Sequence, residues 1–255
     1  MHLYFKKYGD AGLPIIILHG LFGMSDNWHN IARKLSETYT VYTFDQRNHG
    51  QSPHSAKMNF GLMADDVWET LVTENIDSAI LIGHSMGGKT AMKFADKYPL
   101  KTRKLVVVDI APKAYPAGHQ KYFDALKSIN LNSESRKEIE EQLASKIENQ
   151  GELLFLLKNL YRKEEGGFGL KVNVEAIENN YPEIIAPLVF DKPIAIPTCF
   201  IKGALSNYIR LEDEVDIKKQ CSEVSFRTIP NAGHWVHADN PTEFLNQLLS
   251  FLNQQ

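Results

Sequence analysis

Short runs of apolar, often β-branched residues recur along the chain. They alternate with stretches whose apolar positions repeat every three to four residues. Residues 14–18, 40–44, 78–82, 104–108, 198–201 and 224–229 read as strands, and 3–8 as an opening edge strand. Most of these runs are apolar throughout, the pattern of strands covered on both faces of a parallel sheet. Residues 25–36, 60–74, 86–97, 212–220 and 242–252 carry helical periodicity. Ser25 or Asp26 offers an N-cap to the first helix, Pro99 stops the third, and Pro241 opens the last. The alternation predicts an α/β fold with a mostly parallel, doubly wound sheet.

One region breaks the rhythm. Between residues 112 and 197 no strong parallel-strand signal occurs. Amphipathic stretches at 121–129, 135–147 and 151–161 predict helices, and the Gly-rich 164–171 predicts a turn or small hairpin. The segment leaves the carboxyl end of a strand, where ligand sites of open α/β sheets lie. It is therefore expected to be a helical cap, or lid, inserted into a core made of residues 1–111 and 198–255. No internal repeat or low-complexity tract interrupts this plan.

Composition narrows the function. The 255 residues are 43% hydrophobic, enough for a packed core, with 28 Lys+Arg against 31 Asp+Glu and a net charge of −3. That balance excludes a nucleic-acid binder, which would show a basic excess. Cys199 and Cys221 cannot make a disulfide framework, and no Cys/His spacing marks a metal site. No apolar run is long enough to span a bilayer, and the N-terminus lacks a basic region followed by an apolar one. A cytoplasmic protein without metal or organic cofactor is expected, and nothing in the sequence marks a protein-partner surface.

The most informative segment is Gly83-His84-Ser85-Met86-Gly87. It matches G-x-S-x-G, with an apolar strand before it and a helical pattern after it, as a nucleophile elbow requires. A sharp strand-to-helix turn strains the serine backbone and exposes its hydroxyl. The following helix aims its first N–H groups at developing negative charge, so the Met86 N–H is a candidate oxyanion donor. The phosphate-loop pattern is absent, because Gly83 to Thr90 only imitates its tail. A second strand ends at His19-Gly20-Leu21-Phe22-Gly23, where a backbone N–H can complete an oxyanion hole. Leu21 is the first choice and Phe22 the second. The side chains of Phe22 and Trp235 are expected to line the substrate pocket, and His19 to be structural.

A serine nucleophile needs a base. His234, in Gly233-His234-Trp235, lies between the last strand and the last helix and satisfies the chain order nucleophile, acid, histidine. His237 is expected to be structural or pocket-lining, and His84 to be locked in the elbow. The acid is sought after the two preceding strands. The turn at 202–208 contains no carboxylate, and Glu212 and Asp213 fall in the first turn of a helix. Asp109, at the end of the 104–108 strand, is the remaining candidate for orienting His234. Asp45 and Arg47 are expected to pair and shape their loop.

These residues together resemble the α/β-hydrolase superfamily over nearly the whole chain. More narrowly, Arg47-Asn48-His49-Gly50, the Gly83-to-Lys89 elbow, Asp109-Ile110-Ala111-Pro112 and Gly233-His234-Trp235-Val236-His237-Ala238 resemble the YbfF-type esterases. In that subfamily the acid follows the earlier strand, as Asp109 does. The resemblance implies hydrolysis of small-molecule acyl esters of short to medium chain, and of acyl-CoA thioesters. Two other readings are a carbon–carbon bond hydrolase with the same residues and a catalytically silent small-molecule receptor.

Overall fold

A computed structural model describes residues 1–254. Its strands are β1 (Phe5–Tyr8), β2 (Pro14–Leu18), β3 (Thr40–Phe44), β4 (Ala79–His84), β5 (Thr102–Val108), β6 (Leu160–Arg162), β7 (Phe168–Leu170), β8 (Thr198–Gly203) and β9 (Val224–Ile229). Its helices are α1 (His29–Leu35), α2 (Phe60–Thr73), α3 (Met86–Lys97), α4 (Gln120–Ser128), α5 (Arg136–Ala144), α6 (Gln150–Leu157), α7 (Val174–Asn179), α8 (Tyr181–Ile185), α9 (Leu211–Gln220), α10 (Val236–Asp239) and α11 (Pro241–Leu252).

Seven strands form one sheet in the order β1-β3-β2-β4-β5-β8-β9, parallel except for β1, which pairs antiparallel with β3. The continuous apolar runs have a direct cause. Neighbouring residues of a strand face opposite sides, and both sides are covered. Ile16, Leu18, Leu81, Leu105, Val107 and Phe200 join one buried cluster, with Val67 of α2 and Phe94 of α3. Ile15, Ile17, Ile80, Ile82, Val106 and Val108 join the other, with Ile31 of α1 and Phe244 of α11. Parallel strands all end on one rim, so every loop that leaves a carboxyl end opens onto the same place.

Residues 112–197 carry α4 to α8 and the antiparallel hairpin β6–β7. A third apolar cluster binds this segment to the rim. Phe123, Ile139, Leu153, Leu156 and Ile177 pack with Phe22, Met58, Phe60, Met63 and Met86. Buried Lys89 ties the start of the segment and the end of α8 to α3, its Nζ donating to the carbonyls of Lys113 at 2.9 Å and Ala186 at 2.6 Å.

The differences from the sequence reading are local. The first helix pattern splits into a 3-10 turn, Ser25–Trp28, and α1. Neither Ser25 nor Asp26 is an N-cap, because both lie inside the 3-10 turn, where Met24 holds the cap position, and Trp28 holds that of α1. Residues 164–171 resolve as the hairpin turn and β7. Helices α7, α8 and α10 are too short to show periodicity.

Candidate active site

β4 runs on to His84 and meets α3 at Ser85, whose φ and ψ are 53° and −119°. A non-glycine residue at positive φ is strained and persists only where its surroundings dictate it. Here they do. A Cβ added at Gly83 would lie 2.1 Å from the Gly87 carbonyl oxygen, and one at Gly87 would lie 2.3 Å from the Leu18 carbonyl oxygen. Strand and helix thus cross backbone against backbone, and Ser85 is forced outward over the rim.

Three side chains from separate strand ends meet there. Ser85 Oγ lies 3.0 Å from His234 Nε2, and His234 Nδ1 lies 2.7 Å from Asp109 Oδ2. With Nδ1–H donating to the carboxylate, Nε2 carries the lone pair and accepts the Ser85 hydroxyl. Asp109 is fully buried at the end of β5, at a positive φ of 51°. Its carboxylate also accepts the Gly203 N–H at 3.2 Å and the Ser206 hydroxyl. The turn after β8, which lacks a carboxylate of its own, therefore reaches back with donors to the aspartate of the neighbouring strand. Tyr208 stacks on the His234 ring, and His84 Nε2–H donates to the His234 carbonyl at 2.8 Å.

Leu21 and Met86 face the same cavity as Ser85. Among the described residues the N–H groups of Leu21 and Met86 have no protein acceptor, whereas the Phe22 N–H donates to His49 Nε2 at 3.2 Å. Of the two choices left by the sequence, only the Leu21 N–H is free.

Two cavities meet at Ser85. The larger, about 540 Å³, is lined by Met86, Ile110, Tyr115, Tyr122, Ile184 and Tyr208 among others. The smaller, about 370 Å³, is lined by Trp28, His84, Leu154, Phe155, His234 and Trp235 among others. Ser85, Leu21 and His119 border both. Trp235 lines the smaller cavity. Phe22 borders only a third pocket of about 70 Å³, because its ring turns into the cluster around Phe123.

The surroundings keep several histidines neutral. Burial pushes the pKa of His19 and His119 down to about 4, and of His49 and His237 to about 3. His237 combines both expected parts, stacking on Trp28 with ring centroids 4.0 Å apart and lining the smaller cavity. Burial also lowers the Lys89 pKa to about 8.

The expected Asp45–Arg47 pair is not formed. Arg47 pairs instead with Asp66 of α2, Nε to Oδ2 at 2.5 Å and the terminal nitrogen to Oδ1 at 2.8 Å. Asp45 turns back onto backbone, accepting the N–H groups of Ser25 at 2.6 Å and Gln51 at 2.8 Å. The turn at Gly50, with φ of 60°, lays that backbone over the Asp45 carboxylate.

A model of the alpha/beta hydrolase fold family matches residues 14–241. The chain belongs to that family. A solved structure described as a marine microorganism esterase superposes with a TM-score of 0.96 at 45% identity, covering 98% of this chain and 99% of that one. Esterase YbfF from Escherichia coli is 35% identical, over 94% of this chain and 93% of its own. The sn-1-specific diacylglycerol lipase ABHD11 of Danio rerio is 37% identical, over 97% of this chain and 80% of its own. The resemblance to YbfF-type esterases is borne out, and the chain is an esterase/lipase-type hydrolase of this fold.

Within that family frame, the sequence reading missed Ser206, Tyr208 and His119 as neighbours of the site. Ser206 had one available signal, the missing carboxylate in the turn after β8. Tyr208 and His119 lie in loops without a motif, and only folding brings them to the rim.

Proposed function

We propose that the protein hydrolyses carboxylic esters of short to medium acyl chain through an acyl-enzyme on Ser85, with Asp109 and His234 completing a triad. The observation that carries this reading is the unbroken hydrogen-bond chain from Ser85 through His234 to Asp109 at the meeting point of two cavities. His234 Nε2 takes the Ser85 proton as Oγ attacks the carbonyl carbon. The Leu21 and Met86 N–H groups receive the oxyanion. His234 then gives its proton to the departing alcohol or thiol oxygen or sulfur. Water, activated by the same imidazole, releases the acid and restores Ser85.

The two cavities divide the substrate. The leaving atom must receive a proton from His234, and of these two cavities only the smaller is lined by His234. The alcohol side therefore occupies the smaller cavity and the acyl chain the larger. Residues 112–197 act as the cap that roofs both. Acyl-CoA thioesters fit the same chemistry, since neither the nucleophile nor the oxyanion donors distinguish oxygen from sulfur as leaving atom.

The test is a panel of acyl esters and acyl-CoAs of rising length, with Ser85→Ala as blank, together with fluorophosphonate labelling. Labelling at Ser85 and loss of all turnover in Ser85→Ala are expected. Full turnover by Ser85→Ala would end the reading. Absence of both labelling and turnover in the wild type would favour a silent receptor.

A further inference from the structure

Phe22 sits in the left-handed region with φ of 60°, a conformation a bulky residue keeps only when its surroundings hold it there. Three contacts do so. Its N–H donates to His49 Nε2 at 3.2 Å, and its carbonyl accepts from Asn159 Nδ2 at 2.9 Å. Its ring meets Phe123 edge-on, with centroids 5.3 Å apart. His49 and Asn159 are both fully buried. They come from different parts of the chain, the loop after β3 and the inserted segment just past α6.

We propose that His49 and Asn159 are positioning residues, which hold the Phe22 backbone so that the Leu21 N–H is the donor this loop turns toward Ser85. The inference rests on the serine mechanism proposed above.

His49 suits the task because its tautomer is fixed. Its Nδ1–H donates to the Arg47 carbonyl at 2.9 Å, which leaves Nε2 as an acceptor. Burial keeps the ring neutral. Arg47 is itself clamped by Asp66. The brace is reciprocal. His19, from the loop after β2, accepts the Gln46 N–H of the loop after β3 at 3.0 Å, and the two imidazoles face each other with centroids 5.0 Å apart.

The backbone geometry converts this brace into aim. The Gly20 carbonyl accepts the Gly23 N–H at 3.0 Å and His19 Nδ1–H at 2.8 Å. Peptide groups are planar and trans, so pinning that carbonyl fixes the direction of the Leu21 N–H opposite to it. Pinning Phe22 on the far side removes the remaining rotation. Asn159 adds a link to the inserted segment. Its own carbonyl accepts the Lys171 N–H at 2.8 Å, so the seating of the hairpin region is passed to the donor peptide. A donor aimed in advance at the developing oxyanion acts on the transition state rather than on bound substrate.

The test uses Asn159→Ala, His49→Leu and His49→Gln, assayed with a p-nitrophenyl ester. The Gln carbonyl oxygen can still accept the Phe22 N–H. For the first two variants kcat is expected to fall about tenfold to a hundredfold with KM within about twofold of wild type. His49→Gln is expected to recover part of that loss. A purely structural role would lower the melting temperature and leave kcat of the folded enzyme unchanged. That result in Asn159→Ala overturns the inference, and should His49→Leu fail to fold, Asn159→Ala and His49→Gln decide it alone. A silent Ser85→Ala alongside unaffected brace variants would sink only this inference, whereas an active Ser85→Ala would sink the serine mechanism with it.

Discussion

The ring of Tyr208 lies flat on the imidazole of His234, with centroids 3.7 Å apart and planes inclined by 14°. Tyr208 is itself held, its carbonyl accepting the Tyr115 hydroxyl at 2.7 Å and its N–H donating to Ser206 Oγ at 3.2 Å. The stack restricts His234 to the plane in which both ring nitrogens find their partners. Aromatic pairs of this kind contribute about 1 kcal/mol. Tyr208→Ala is therefore expected to lower kcat/KM about fivefold, while Tyr208→Phe stays near wild type. Steady-state kinetics of both variants check this, and equal values for Ala and wild type would remove the stack from the account.

Ser206 donates to the same Asp109 oxygen that accepts from His234. Its removal leaves the carboxylate in place but frees it to rotate and takes away a charge-assisted hydrogen bond. Ser206→Ala is expected to reduce kcat about tenfold, with a smaller effect on KM. Ser206→Thr, which keeps the hydroxyl, is the control to measure beside it.

At the elbow, a methyl group at Gly83 would collide with the Gly87 carbonyl oxygen and carbon, at 2.1 Å and 2.5 Å. Both are backbone atoms and cannot swing aside. Gly83→Ala is expected to destabilise the fold by about 3 kcal/mol. Urea unfolding followed by circular dichroism would show the shift, and an unchanged midpoint would mean that strand and helix separate more freely than their contact implies.

Stability should fall steeply in mild acid. His19, His49 and His237 have folded pKa values of about 4, 3 and 3, all depressed chiefly by burial. In the unfolded chain they titrate near their ordinary value of about 6.5. Below that pH the unfolded state binds more protons, so stability is lost as pH falls from about 6.5 toward the folded values. Each group removes about 1.4 kcal/mol per pH unit in that window. Melting temperatures between pH 7.5 and 4.5 test this. His237→Phe, which cannot charge, is expected to show a shallower slope.

If the acyl chain occupies the larger cavity, Ile184 and Ile185 form part of its wall. Ile184→Trp is expected to slow hydrolysis of octanoyl esters by an order of magnitude or more, about 1.4 kcal/mol, and to spare acetyl esters. Equal effects on both chain lengths would place the acyl group elsewhere.

Much of the molecule was legible in the order of residues. The apolar runs specified a sheet covered on both sides because Ile15 and Ile16, or Val107 and Val108, each need a hydrophobic face of their own. The elbow was legible because its constraint is local: a turn this tight excludes a Cβ at positions 83 and 87, so glycine is written into the sequence. Asp109 and His234 were singled out by their places after strand ends, and the fold puts their side chains 2.7 Å apart.

Other features depend on distance in the chain and left no local mark. Arg47 found Asp66 rather than Asp45, 19 residues away instead of two, while Asp45 accepts backbone donors from Gln51, in the turn at Gly50, and from Ser25 in the loop after β2. Ser206 and Tyr208 met Asp109 and His234 only because β8 lies beside β5. The sequence by itself determined the repeating strand–helix plan and the glycines of the elbow, since both follow from burial and backbone sterics within a few residues. The tertiary structure decided which donors surround Asp109, which N–H is left free and how the cavities divide, because those depend on strand neighbours and on how the inserted segment seats, and hydrogen bonds between residues so far apart in the chain carry no periodicity to read.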